Sequence, residues 1–247
     1  MKKRTYIILV LFLIISSLCV CALAYALGAL YIPSHTLATD AAASTPQFKT
    51  VIIDAGHGGE DGGTSSASGL VEKDVNLDIS KKLCDMLRAS GINVIMTREE
   101  DKLLYDRNVD FHGRKKKLDL AARLAIAETT PDAIFLSIHM NSFTDPKYSG
   151  MQVWYSPNHL LSEKLAERIR EENRKLLQPD NNRKTTRATS SINLLYNAKC
   201  PAVLIECGFL SNPTDAERFE TEEYRQKVAF VIFCSVMDFL IENSSSS

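Results

Sequence analysis

Four residues in this 247-residue chain have the types and settings for metal-assisted hydrolysis: His57, Glu72, His139 and Glu206. Two imidazoles and a carboxylate make an open zinc site that leaves one position for water, and zinc brings the pKa of that water to about 7. A further carboxylate, Glu206, could take a proton from the water and pass it to a leaving amine. The set therefore contains the parts needed to hydrolyse an amide, with His57, Glu72 and His139 on the metal.

Each of these residues also has an ordinary reading. A lone histidine after a strand is more often structural than a ligand, which applies to His57 and to His139 taken singly. Glu72 in Glu72-Lys-Asp74 suits the first turn of a helix, where the dipole favours an acid. Glu206 resists dismissal, because an acid directly after Val203-Leu-Ile205 is costly to bury without a partner. His112 and His159 read as surface residues, and His35 falls in a linker.

The elements that must position these groups alternate. Val51-Ile-Ile-Asp54 reads as a strand running into the glycine turn Ala55-Gly-His-Gly-Gly59. Val75, Ile79, Leu83, Met86 and Leu87 recur at helical spacing, with Gly91 as a C-cap. Further strands are expected at 93–96, 133–138, 151–155 and 202–205, and helices at 118–128, 161–176 and 224–240. Strands separated by helices of this length predict an α/β fold. The expectation is one domain, a twisted, mostly parallel (mixed) sheet of about six strands with helices on both faces. In such a sheet the carboxyl ends share one edge, the usual place for a ligand site, so His57, His139 and Glu206 converge there. Glu72, just before the first helix, can reach the same edge.

The beginning of the chain is different. Lys2, Lys3 and Arg4 form a basic cluster, and residues 5–39 contain no Asp, Glu, Lys or Arg. Residues 6–26 are almost wholly apolar, long enough to cross a hydrocarbon core of about 30 Å. The basic flank would stay inside and the remainder would be exported. An uncleaved signal-anchor is the preferred reading of residues 1–32. A cleavable signal peptide, with small-residue sites around Ala22, Ala24 and Ala26, and a buried core helix are the alternatives. Leu18 is too bulky to precede a lipidated Cys19. Residues 33–47 read as a linker, 48–243 as the catalytic domain and 244–247 as a tail.

Four cysteines follow the apolar segment: Cys84, Cys200, Cys207 and Cys234. Cys200 and Cys207 bracket a strand spanning on the order of 23 Å and cannot pair. No C-x-x-C occurs, which argues against a cysteine zinc cage, and buried free thiols are expected. A net charge of −1 gives no reason to expect nucleic acid. Arg114 to Lys117 read as a solvated loop or helix start, with contact to an anionic polymer as the alternative.

Taken together the residues resemble the zinc-dependent N-acetylmuramoyl-L-alanine amidases of the Amidase_3 type. The resemblance runs through Val51-Ile-Ile-Asp-Ala-Gly-His-Gly-Gly59, Glu72-Lys-Asp-Val-Asn-Leu77, Thr97-Arg98, Ser137-Ile-His-Met-Asn-Ser142 and Pro201-Ala-Val-Leu-Ile-Glu-Cys-Gly-Phe-Leu-Ser-Asn212. It implies zinc on His57, Glu72 and His139, and Glu206 as catalytic acid/base. The bond cut would join the lactyl group of N-acetylmuramic acid to the L-alanine of the stem peptide. Arg123 also matches a family arginine, for which packing or an ion pair is the expected role. Ala55 replaces a common proline and Glu128 an Ala-Asn pair, neither of them at a proposed ligand.

The basic start, apolar segment, bare catalytic domain and short spacing from His139 to Glu206 look most like the spore-cortex, germination-specific branch of the family. There the product feeds muramic δ-lactam formation. A general vegetative wall amidase is the alternative within the family. The implied location is the outer face of a bacterial cytoplasmic membrane, or the forespore intermembrane space and cortex. The implied partners are peptidoglycan, the membrane and an accessory protein that stabilises zinc binding. Outside the family, a different exported zinc peptidase and a catalytically silent wall-binding protein compete.

Overall fold

Alternate residues of each central strand point to opposite faces, and each face has its own helices. The computed structural model describes residues 45–46, 48–105, 108 and 113–245. The 1–32 segment, nearly all of the proposed linker, His35 and His112 lie outside the described residues. Among the described residues no helix is long and apolar enough to cross a membrane.

The strands are β1 (Thr45–Pro46), β2 (Thr50–Ala55), β3 (Asn93–Met96), β4 (Ala133–Asn141), β5 (Gln152–Tyr155), β6 (Thr186–Arg187), β7 (Ala202–Phe209) and β8 (Ser244–Ser245). The helices are α1 (Glu72–Ala89), α2 (Lys115–Thr129), α3 (Leu161–Leu176), α4 (Asn193–Asn197), α5 (Pro213–Glu220) and α6 (Glu222–Glu242). Six strands form the main sheet in the order β3-β2-β4-β7-β5-β6, while β1 and β8 pair separately. The pairs β3–β2, β2–β4 and β4–β7 are parallel, and β5 runs antiparallel to β7.

On one face Val51, Ile53, Leu136, Val203 and Ile205 pack with Ile79 and Leu83 of α1, Ile169 of α3 and Ile232 of α6. On the other, Ile52, Phe135, Ala202 and Leu204 pack with Ala127 of α2 and Leu194 and Leu195 of α4. This is the expected α/β arrangement, a mixed sheet covered on both sides.

Several expectations need adjustment. Glu72 is the first residue of α1, not a residue before it. The β4 and β7 strands run past His139 and Glu206, because pairing resumes after an irregularity at Asn141 opposite Phe209. Gly91 follows the cap residue Ser90 with φ 81°, and the Gly91 and Ile92 amides close the helix end onto Arg88 and Leu87. The segment Ser211-Asn-Pro213 starts α5: Asn212 caps it by accepting from the Asp215 amide at 2.9 Å, and Pro213 occupies the first turn. The four cysteines among the described residues are free, but only Cys84 and Cys207 are buried; Cys200 and Cys234 are partly exposed.

Candidate metal centre

The loop carrying His57 is built by two buried arginines. His57 has φ 61°, a left-handed conformation that a non-glycine residue holds only when its surroundings compel it. Arg123 of α2 donates to Asp54 Oδ1 at 2.6 Å, to Ala55 O at 2.8 Å and to His57 O at 2.8 Å, and its Nε donates to Asp119 at 2.7 Å. Arg98, just past β3, donates to Ala55 O at 2.8 Å, Gly56 O at 3.0 Å and Lys73 O at 2.8 Å. The three carbonyls of Ala55, Gly56 and His57 are thus gripped from both sides. Arg98 and Arg123 are 1% and 2% exposed, so neither guanidinium is a solvent group.

Asp54 completes this support, accepting from Thr97 and Ser137 hydroxyls at 2.8 and 2.6 Å as well as from Arg123. Burial alone would raise its pKa; the Arg123 charge and the two hydroxyl bonds hold it below its ordinary value. Burial also pulls Arg98 down, and the nearby Arg123 charge adds to that.

Glu72 is the hub of the site. Its Oε1 lies 3.3 Å from His57 Nε2 and 3.0 Å from His139 Nδ1, and accepts from the Met140 amide at 3.0 Å and the Asn76 amide nitrogen at 3.4 Å. Its Oε2 accepts from the Thr64 amide at 2.9 Å. Burial works to raise the Glu72 pKa, yet the bonds to His139 and His57 hold it far below the carboxylate range. His57 is raised on balance, burial opposing the influence of Glu72 and Asp61. Its Nδ1 lies 2.9 Å from Asp61 Oδ2, close but not aligned as a straight hydrogen bond. The two imidazoles meet edge to face at 4.9 Å between centroids.

His57, Glu72 and His139 each offer a ligand atom, and the three atoms lie within 4.8 Å of one another. Glu206 stands directly opposite His139 in the β4–β7 ladder. Its Oε2 is shut from solvent with no hydrogen-bond partner, and burial pushes its pKa up to about 7, partly offset by His139. Two nitrogens and one carboxylate oxygen suit zinc, whereas calcium or magnesium sites are built from oxygen.

The expected four residues therefore meet at one edge. His159 does not join them: it is half-buried against Phe48 and accepts from the Leu161 amide. Asp54, Asp61, Asn76 and Arg98 support the site although sequence reasoning assigned them no part. An acid inside the apolar strand 51–55 was the available signal for Asp54. Arg123 takes the ion-pair role expected of it.

Residues 51–237 match the family model described as N-acetylmuramoyl-L-alanine amidase. The chain is 35% identical over 194 residues to the germination-specific N-acetylmuramoyl-L-alanine amidase of Bacillus subtilis (strain 168), covering 78% of this chain and 81% of that protein. Among solved structures it resembles the CwlD amidase from Clostridioides difficile in complex with the GerS lipoprotein. There the TM-score is 0.74 and identity 37%, over 78% of this chain and 99% of the other. The N-acetylmuramoyl-L-alanine amidase AmiC2 of Nostoc punctiforme aligns with TM-score 0.66 and 28% identity, over 80% and 99% of the two chains.

Proposed function

The chain belongs to the N-acetylmuramoyl-L-alanine amidase family, and on that footing we propose that His57, Glu72 and His139 hold zinc and that Glu206 manages the proton in a spore-cortex amidase. The observation that carries the assignment is the convergence of three ligand atoms within 4.8 Å beside a carboxylate with a buried, unbonded oxygen. Zinc bound there would polarise the scissile carbonyl and make water a better acid.

The chain's own groups supply the rest. Glu206 takes the proton of the attacking water as its oxygen adds to the lactyl carbonyl carbon, its burial favouring the protonated form that results. As the carbon–nitrogen bond breaks, Glu206 returns that proton to the L-alanine nitrogen, leaving a free lactyl carboxyl and a free peptide amine. The Met140 amide orients Glu72 by donating to its Oε1, and Asp61 sets a negative charge 2.9 Å from His57 Nδ1. Glu206 also weighs against a silent wall-binding protein, which has no use for a buried carboxylate in this position.

The cortex assignment rests on the germination-specific relative and the CwlD neighbour. That neighbour's complex with a lipoprotein supports an accessory protein for this chain as well. The basic cluster and charge-free segment at the start support export and a place on the outer face of a cytoplasmic membrane.

Purified protein loaded with zinc should release peptides beginning with L-alanine from isolated cortex, leaving unsubstituted muramic acid, as read by mass analysis of the fragments. Thorough chelation should abolish release, and zinc should restore it. Cleavage within the stem peptide, with muramic acid still substituted, would replace the amidase reading with a peptidase. Equal release from vegetative wall and cortex would remove the cortex assignment alone.

A glycine supplies a second test. A Cβ on Gly56 would sit 2.3 Å from His139 Cε1 and Nε2, so the ring would have to move. Gly56→Ala should weaken zinc binding by about 10–100-fold, comparable to losing a partner that orients a ligand. Competition with a chelating dye measures this directly, and unchanged affinity would show that His139 is not held to the metal.

A further inference from the structure

The catalytic edge does not end at β7. Because β5 runs antiparallel to β7, its amino end lies at the edge that carries His57, His139 and Glu206. The β6 strand runs parallel to β5, so its amino end lies there too. Between these ends and the loop after α3 is a hollow of about 560 Å³, lined among others by Lys147, Tyr148, Gly150, Arg183 and Arg218.

Arg183 is unusual among the cations of this hollow. Lys147 faces Asp145 at 2.7 Å, and Arg218 lies 3.8 Å from Asp215. Arg183 has no carboxylate partner among the described residues. Its guanidinium lies over the Phe209 ring at 4.7 Å and the Tyr148 ring at 5.7 Å, and its Nε donates to Ser149 O at 3.0 Å. Two aromatic faces and one carbonyl thus fix the plane of the fork and leave its terminal nitrogens uncommitted. A planar guanidinium held this way is prepared for two parallel bonds to a carboxylate. Asp180 and Asp215 also line the hollow but neither pairs with Arg183: Asp215 Oδ2 accepts from the Gly150 and Phe209 amides at 2.7 and 3.0 Å, and its Oδ1 lies 3.8 Å from Arg218.

Phe209 is three residues beyond Glu206 on β7, but across the irregularity they span what two residues of β4 span, on the order of 7 Å. That is about the reach from a scissile amide to the second residue of an extended peptide. The substrate's charge is distributed to match. An amide-linked muramic acid and its neighbouring sugar carry no charge, so carboxylates lie only on the peptide side of the bond. In stem peptides the residue after L-alanine is acidic, with its carboxyl either free or amidated.

We propose that Arg183 is a specificity residue that binds the carboxylate of the residue following L-alanine, placing the peptide over β7, β5 and β6 and the glycan on the β2 side. The inference rests on the amidase reading above.

The test uses two synthetic muropeptides on zinc-loaded enzyme, identical except for a carboxylate or a carboxamide on the residue after L-alanine. The wild type should favour the carboxylate by about tenfold in kcat/KM, expressed in KM more than kcat. Arg183→Gln should bring the ratio close to one, and Arg183→Lys should keep part of it, because an ammonium retains the charge but not the fork. A wild type that does not discriminate, or an Arg183→Gln enzyme that discriminates as strongly as the wild type, overturns the proposal. The wild-type comparison decides even where a variant folds poorly. Cleavage of the carboxamide substrate by the wild type, at the muramoyl–L-alanine bond, keeps the amidase reading separate from this one.

Discussion

Glu206→Gln is expected to lower kcat by about a thousand-fold, or roughly 4 kcal/mol of barrier, while the protein stays folded and still takes up zinc. The substitution preserves shape and removes only the ability to accept and return a proton. It should also cost no hydrogen bond, since Glu206 Oε2 has no partner to lose. Stability should move the other way from activity. The Glu206 pKa is raised from 4.5 to about 7, so the folded metal-free protein binds the proton more tightly than the unfolded chain. Stability from this group is therefore greatest at low pH and falls as pH rises through that window. Metal-free Glu206→Gln should lack that decline and be more stable than the wild type above pH 7. Thermal melts of both proteins across the window, beside kinetics on one soluble muropeptide, check both halves. A variant that retains a tenth or more of wild-type kcat would remove Glu206 from the proton path.

Asp54→Asn should be the most damaging substitution that touches no proposed ligand. It would leave the buried Arg123 with Asp119 as its remaining carboxylate and weaken the grip on the His57 loop. Breaking a buried pair in this way costs about 3–5 kcal/mol. For a domain of this size that lowers Tm by on the order of 10 °C. The pH dependence has the opposite sign from that of Glu206. The folded pKa of Asp54 lies below its ordinary value of 3.8, so its contribution is complete above that value and is lost as pH falls through the folded one. Acid titration of the wild type should show this loss, and Asp54→Asn should lack it. A Tm within about 2 °C of wild type would mean that Asp119 alone satisfies Arg123.

The meeting of His57, Glu72, His139 and Glu206 was legible because strand ends share an edge, whatever their separation in sequence. Apolar strands and amphipathic helices of ordinary length were legible for the same kind of reason, since each carries its own period. The short elements were not: β6 has two residues and α4 five, too few to show a period. Nor does a four-residue strand such as β5 reveal which way it will run. The supports of the His57 loop were hidden for a different reason. Arg98 and Arg123 act on carbonyls about forty to seventy positions away, and nothing near either residue announces those partners. Asp54 could have been noticed by the logic applied to Glu206, that an acid in an apolar strand must have company. Arg123 was marked by resemblance alone, with packing or an ion pair as its expected role, and only the docked helix shows which carboxylates and carbonyls it meets.

That docking bears on when the enzyme becomes active. The His57 loop takes its supporting hydrogen bonds from residues far along the chain, Arg98 just past β3 and Arg123 on α2. A metal site on His57 would therefore be complete only once these distant parts of the chain have joined the sheet. For a member of an amidase family, that would make the finished fold a precondition of cutting. Half-assembled chains are unarmed, and the capacity to cut arrives together with the finished fold.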